Sequence, residues 1–362
     1  MAAEECSEAH GGLDPSELKR LGISPVDLVD FSVNSNPFGP SPRVLAAVRS
    51  VDISAYPDRK CSALVEALAQ ANRVTPQEIL VGNGTAELIW LTVQAFLQPR
   101  DQVLILGPAF GEYQRAVSTL GAEVKEVRAQ APDFLPPVEQ VVASIVRDQP
   151  RLVFVCNPNN PTGTYLDSGA IEKLRRACGS GTILVVDEAY RAFVTGQLFA
   201  QTPGDNCLVL RSMTKDFALA GLRLGYVLGN PELIEQLRRR QPAWSANSLA
   251  QAAGIAALTE VDYYQRTLLE LVELRNDFFP QIRALGYAMV RSDVHFGLVH
   301  AGGPAKDLRL RLLRRGLQVR DCASFGLPEH IRISTRQPSD NLRLLAALRI
   351  LRTEERNATL CP

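Results

Sequence analysis

Lysine is scarce in this chain. Lysine and arginine together number 39 of 362 residues, but only six are lysines, at 19, 60, 125, 173, 215 and 306. A lysine in an unusual setting therefore stands out. Net charge is missing too, because Asp and Glu also total 39. A neutral chain has no electrostatic reason to bind nucleic acid or an anionic membrane. The cysteines at 6, 61, 156, 178, 207, 322 and 361 form no C-x-x-C pair, and their number is odd. That argues against a disulfide framework or zinc site, and for reduced thiols in a cytoplasmic protein. No apolar run approaches the roughly 20 residues that a membrane helix needs. The opening MAAEECSEAH is acidic and polar, unlike a secretory signal. Low-complexity tracts and internal repeats are absent. What is present is a globular balance, 46% hydrophobic and 22% charged, on a length that allows two domains.

From residue 62 the pattern alternates. Helical periodicity over Ser62–Asn72 gives way to a short apolar run at 79–81. A helix is predicted from Thr85, a strand at 103–106, a helix at 111–120 and a strand at 122–127. Further apolar runs lie at Leu152–Cys156, 182–186 and 207–210. Short β-branched runs separated by helical stretches predict a mostly parallel sheet with helices on both faces. After residue 229 the pattern reads as helices at 231–239, Ser248–Leu258 and 262–285. A smaller α+β domain follows, with strands at 294–299, 317–320 and His330–Ser334, a helix at 305–315 and a last helix from Ser339. The expected division is an N-terminal arm and part of the small domain at 1–50, a large domain at 51–260 and a small C-terminal domain at 261–362. The first fifty residues, rich in Pro and Gly, are expected to wrap over one or both domains.

Lys215 stands in Ser212-Met213-Thr214-Lys215, just past an apolar strand. Hydroxyls and apolar neighbours there desolvate the amine, which lowers its pKa and lets it condense with an aldehyde. The same pattern also fits a surface lysine after a strand. Asp187 ends the run Val185-Val186-Asp187, where an unpaired carboxylate is costly. It could pair with a protonated ring nitrogen at a strand carboxyl end, or simply cap the next segment. Tyr190, three residues on, could point its hydroxyl the same way. Asn157 opens the rigid loop NPNNPTG after a buried strand, a position for donating to a phenolate oxygen or for a turn. Gly84 and Thr85, in Gly82-Asn83-Gly84-Thr85, lie between a strand and a helix and read as a phosphate cradle or a capped turn. Arg223, inside the apolar GLRLGY, calls for an anionic partner, either a phosphate or a structural carboxylate.

Together, NPNNPTG, DEAY, SMTK and GLRLGY resemble the class I/II aminotransferases, the fold type I pyridoxal-phosphate (PLP) enzymes, over residues 10–350. The resemblance implies that Lys215 holds the cofactor and moves the substrate proton. It puts Asp187 at the ring nitrogen, and Asn157 and Tyr190 at the ring oxygen. Gly84, Thr85, Ser212 and Arg223 would hold the phosphate, Thr214 would be a further cofactor contact, and Phe110 would stack on the ring. Tyr56 looks like the family tyrosine that reaches the phosphate of a partner subunit, which implies a homodimer. Arg332 would clamp the substrate carboxylate, with Asn36 nearby. No metal site is expected.

Two subfamilies match. YPD, NPNNPTG and the C-terminal arginine look like histidinol-phosphate aminotransferase. His10-Gly11-Gly12, PAWSAN, VRDCASF and Arg336 look like the threonine-phosphate decarboxylase of cobalamin synthesis, although Leu13 replaces that group's usual Asn. His10, Arg320 and Arg336 could form a second anion site, or else a chain terminus and a surface strand. The first expectation is therefore a decarboxylase acting on a small phosphorylated amino acid. The alternative is an aminotransferase using 2-oxoglutarate, and a non-catalytic protein of this fold is the remote third.

Overall fold

The computed structural model describes residues 11–196, 198–199 and 204–360. The chain forms two compact units. One comprises the chain up to Asn34, Pro161–Gly163 and everything from Glu270 on, and the other comprises Ser35–Asn160 and Thr164–Leu269. The boundary at Leu269 falls inside the helix Val261–Ala284.

The smaller unit contributes the first strand, β1 (Val29–Asp30). The larger unit then supplies β2 (Ile79–Gly82), β3 (Gln102–Gly107), β4 (Glu123–Arg128), β5 (Leu152–Cys156), β6 (Ile183–Asp187), β7 (Cys207–Ser212) and β8 (Gly225–Gly229). They form one sheet in the order β2-β8-β7-β6-β5-β3-β4. Only β8 runs against its neighbours. β5 and β6 are buried throughout, as central strands covered on both faces must be. The edge strand β4 instead exposes Glu123, Lys125 and Glu126, and charge there discourages pairing with another chain.

The helices Gly84–Phe96 and Glu112–Ser118 bury Leu88, Ile89, Ala116 and Val117 in one core with Ile105, Phe154, Val185 and Leu210 of the sheet. The helices Val138–Asp148 and Ser168–Ala177 pack on each other, and the first also packs on β3. In register, Cys156 of β5 faces Asp187 of β6, which faces Leu210 of β7. The carboxyl ends of parallel strands thus lie side by side, the usual place for a ligand in such sheets.

The smaller unit continues with β9 (Phe296–His300), β10 (Leu317–Gln318), β11 (Arg320–Asp321) and β12 (His330–Ser334). β1 pairs in parallel with β10, and β11-β12-β9 form an antiparallel sheet. Phe31, Phe278, Phe279, Leu312, Ile331, Ile333 and Leu348 fill its core.

The structure adds elements that the sequence reading did not name. Pro15–Leu21 and Pro42–Arg49 are helices within the Pro/Gly-rich start. Each has proline at its first position and a capping side chain before it, Asp14 and Ser41, so these prolines start helices. β8 was hidden by its glycines and by its closeness to the SMTK motif.

Candidate active site

A cavity opens at the carboxyl ends of β5, β6 and β7, the usual place for a ligand in such sheets. Thr85, Ala86, Phe110, Cys156, Asn160, Asp187, Ala189, Tyr190, Thr214, Lys215 and Arg223 line it. Residues from Thr85 to Arg223 in sequence thus meet around one space.

Asp187 is buried and doubly held. The Tyr113 hydroxyl donates to its Oδ2 at 2.8 Å, and the Ala189 N–H donates to Oδ1 at 3.0 Å. Burial raises its carboxyl above the ordinary range, opposed by the bonds from Tyr113 and Ala189 and by the positive charge of Lys215. Tyr113 is 0% exposed. Its ring stacks on Phe154 at 5.0 Å and meets Phe110 edge-on at 5.8 Å. Burial, and then the charge of Asp187, push its phenol well above the ordinary range, so it remains a donor. The sequence reading missed Tyr113. The available signal was its spacing from Phe110, three residues away at the start of a helix.

The Lys215 turn is tightly fixed. Asn36 donates its backbone N–H to the Lys215 carbonyl at 2.9 Å. Its Nδ2 donates to the Asp216 carbonyl at 3.1 Å and to the Thr267 hydroxyl at 2.8 Å, and its Oδ1 accepts from Phe38 N–H. Asn36 therefore commits its amide to the protein itself. Ser212 and Thr214 share a hydroxyl–hydroxyl bond of 2.6 Å.

Gly84 opens its helix at φ +75°, and a Cβ there would sit 2.8 Å from Nη2 of Arg223. The guanidinium therefore lies directly over the glycine. Arg223 itself is exposed, against the near-burial expected from its apolar neighbours. Nη1 donates to the Ala220 carbonyl at 3.0 Å. Asn157 is buried, exchanging two bonds with the Leu166 backbone at 2.7 and 2.9 Å. One hydrogen of its Nδ2 lies outside that pair.

Other expected residues lie elsewhere. Tyr56 is 81% exposed and stacks on Trp244 at 4.8 Å. In the smaller unit, Arg320 and Arg332 are direct cross-strand partners, both buried. Arg332 donates to the Ser32 carbonyl at 2.6 Å and lies over Phe296; Arg320 donates to the Ser324 hydroxyl at 2.7 Å and lies over Phe325. Burial replaces the surface-strand alternative for Arg320. Arg336 forms an ion pair with Asp340 at 3.2 Å and donates to the Asp30 carbonyl at 3.0 Å. His10 lies outside the described residues. Among the described residues no His, Cys, Asp or Glu cluster could hold a metal, and no helix is long and apolar enough to cross a membrane.

A lysine, a buried carboxylate and a glycine overlaid by an arginine thus meet around one strand-end cavity. The chain belongs to the family described as aminotransferase class I and II, whose profile matches residues 26–348. It is 36% identical over 343 residues to a histidinol-phosphate aminotransferase of Symbiobacterium thermophilum, covering 91% of this chain and 92% of that one. The crystal structure of a histidinol-phosphate aminotransferase from Sinorhizobium meliloti, in complex with pyridoxal-5'-phosphate, is 25% identical with a TM-score of 0.85. It covers 98% of this chain and 99% of that one. The L-threonine-O-3-phosphate decarboxylase of Porphyromonas gingivalis has a TM-score of 0.79 at 24% identity, covering 89% and 98%, which shows a shared fold alone. The comparisons thus reverse the order set by the sequence, placing the aminotransferase ahead of the decarboxylase.

Proposed function

We propose that this chain is a PLP-dependent aminotransferase of the histidinol-phosphate type, moving an amino group from a phosphorylated amino donor to 2-oxoglutarate. The observation that carries the reading is the 36% identity to the Symbiobacterium enzyme across 91% of the chain. The cavity's donor set fits the cofactor. It joins an amine, a buried carboxylate, an aromatic face and a cradle that a Cβ at Gly84 would crowd.

When bound, PLP supplies an electron sink for the bond broken at the amino-bearing carbon. Lys215 is assigned to hold it and to carry the proton on Nζ. Asp187, held in place by Tyr113 and the Ala189 N–H, would pair with the protonated ring nitrogen. Tyr190 and the remaining Asn157 amide hydrogen serve the ring oxygen, and Phe110 covers one ring face. Gly84, Thr85, Ser212, Thr214 and Arg223 take the phosphate, with the helix N-terminus at Gly84 adding its dipole. Arg332 and Arg320 are assigned to the anionic groups of the substrates. Their cross-strand pairing concentrates positive charge where a phosphate or carboxylate offsets it. The ion pair with Asp340 leaves Arg336 a lesser part than the decarboxylase expectation gave it. We also assign Tyr56 to the phosphate site of a second copy in a homodimer, since it is strongly exposed and braced by Trp244. A cytoplasmic location fits the free cysteines at 61, 156, 178, 207 and 322.

The test is an assay of the purified protein with histidinol phosphate and 2-oxoglutarate. Glutamate formation that needs both supports the reading. Carbon dioxide release from O-phospho-L-threonine without any keto acid would replace it with the decarboxylase.

A further inference from the structure

Asp187 and Lys215 are each followed in the chain by a second carboxylate, Glu188 and Asp216. A buried arginine, Arg211 on β7, bonds the first of these acids. It is 3% exposed. Its Nη1 donates to Glu188 Oε2 at 2.7 Å, and its Nη2 donates to the Leu198 carbonyl. Asp216 is 6% exposed, accepts from the Phe217 N–H at 3.0 Å and feels the positive charge of Arg211. On β8, Tyr226 is the cross-strand partner of Arg211 and reaches Asn72 through its hydroxyl at 3.3 Å. The peptide that carries Lys215 and Asp216 is gripped separately by Asn36 through its two carbonyls.

Stability alone does not account for such a group. Taking a charge pair out of water is costly, and apolar residues of similar volume often serve folding as well or better. What a guanidinium adds is direction. Its planar fork fixes the angle and spacing of the groups that it bonds. Here those groups are Glu188, the residue after Asp187, and the Leu198 carbonyl, and the arginine itself stands on the strand that leads to Lys215.

We propose that Arg211 is a positioning residue: through its bond to Glu188 it fixes the turn after Asp187 relative to β7, the strand that leads into the Lys215 turn. This rests on the roles given above to Asp187 and Lys215. A displacement of about 1 Å at a reacting group can cost on the order of 100-fold in rate, so the effect belongs in kcat rather than in KM.

Two variants test it. Arg211→Lys keeps a cation and loses the fork. Arg211→Met combined with Glu188→Leu removes both charges at similar volume. Two readouts are taken: kcat and KM for transamination, and the rate at which acetic anhydride labels Lys215 in the full chain freed of cofactor. The five other lysines are internal controls for the labelling. Both variants should melt cooperatively, lose about tenfold or more in kcat with KM changed less than about threefold, and show an altered Lys215 rate. A folded variant with wild-type kcat and wild-type Lys215 labelling overturns the proposal. So does unfolding of both variants, because Arg211 would then be a structural residue. If the wild-type chain performs no transamination, the functional reading fails, while a changed Lys215 rate in the variants still reports the positioning.

Discussion

Tyr113 shows how one hydroxyl controls a carboxylate it does not resemble chemically. Its phenol keeps the proton and gives the buried Asp187 carboxylate a donor. Removing that donor leaves a buried oxygen unsatisfied, at a cost of about 1–3 kcal/mol. Tyr113→Phe should therefore lower denaturant stability by that order, raise the proton affinity of Asp187 and reduce kcat about tenfold. Denaturation and steady-state assays measure both. The same loss in an Asp187→Asn background would show that the bond is not the cause. Asp187→Asn alone should fold and lose most activity, and unchanged turnover would refute its place at the ring nitrogen. The sequence made Asp187, Lys215 and Arg223 legible because each is a polar residue in an apolar run. Tyr113 was not legible, since an aromatic in a helix reads as core.

At the scale of elements, the site is a set of turns held at strand ends. The helix beginning at Gly84 is the clearest case: φ +75° suits glycine, and the Arg223 guanidinium occupies the space beside it. Gly84→Ala adds backbone strain and pushes that guanidinium aside. It should weaken PLP binding about tenfold or more while global stability falls by only about 1 kcal/mol. Equilibrium dialysis against PLP reads the first, and unchanged affinity would remove Gly84 from the cradle. The strands β5, β6 and β7 were readable because buried parallel strands are continuous apolar runs. The helices at 15–21 and 42–49 were not read: the first fifty residues were read only as a Pro/Gly-rich segment wrapping the domains, whereas two of these prolines stand at helix starts. Asn36 was read as a substrate contact from its motif. Its place as a clamp on the Lys215 turn depends on Thr267, 231 residues away, which no local pattern reveals.

At the scale of the whole molecule, stability and chemistry pull in opposite directions. Burial pushes Asp216 from 3.8 up to about 7, opposed by Arg211. Below pH about 4 the carboxyl is protonated in both folded and unfolded chains. Between about 4 and 7 the folded protein holds the proton that the unfolded chain releases, so stability falls as pH rises through that window. At 1.36 kcal/mol per unit the loss is of order 4 kcal/mol. Asp216→Asn should flatten the decline and melt higher than the wild type at pH 8, with lower kcat. A wild-type slope in the variant would assign the decline to other groups. The central claim is that one of only six lysines, Lys215, holds the cofactor. Borohydride reduction of the PLP-loaded protein, followed by peptide mass mapping, tests it most directly. The account predicts a pyridoxyl-phosphate adduct on the peptide containing Lys215 and nowhere else. An adduct on another lysine, or none on a protein that turns over substrate, would contradict it.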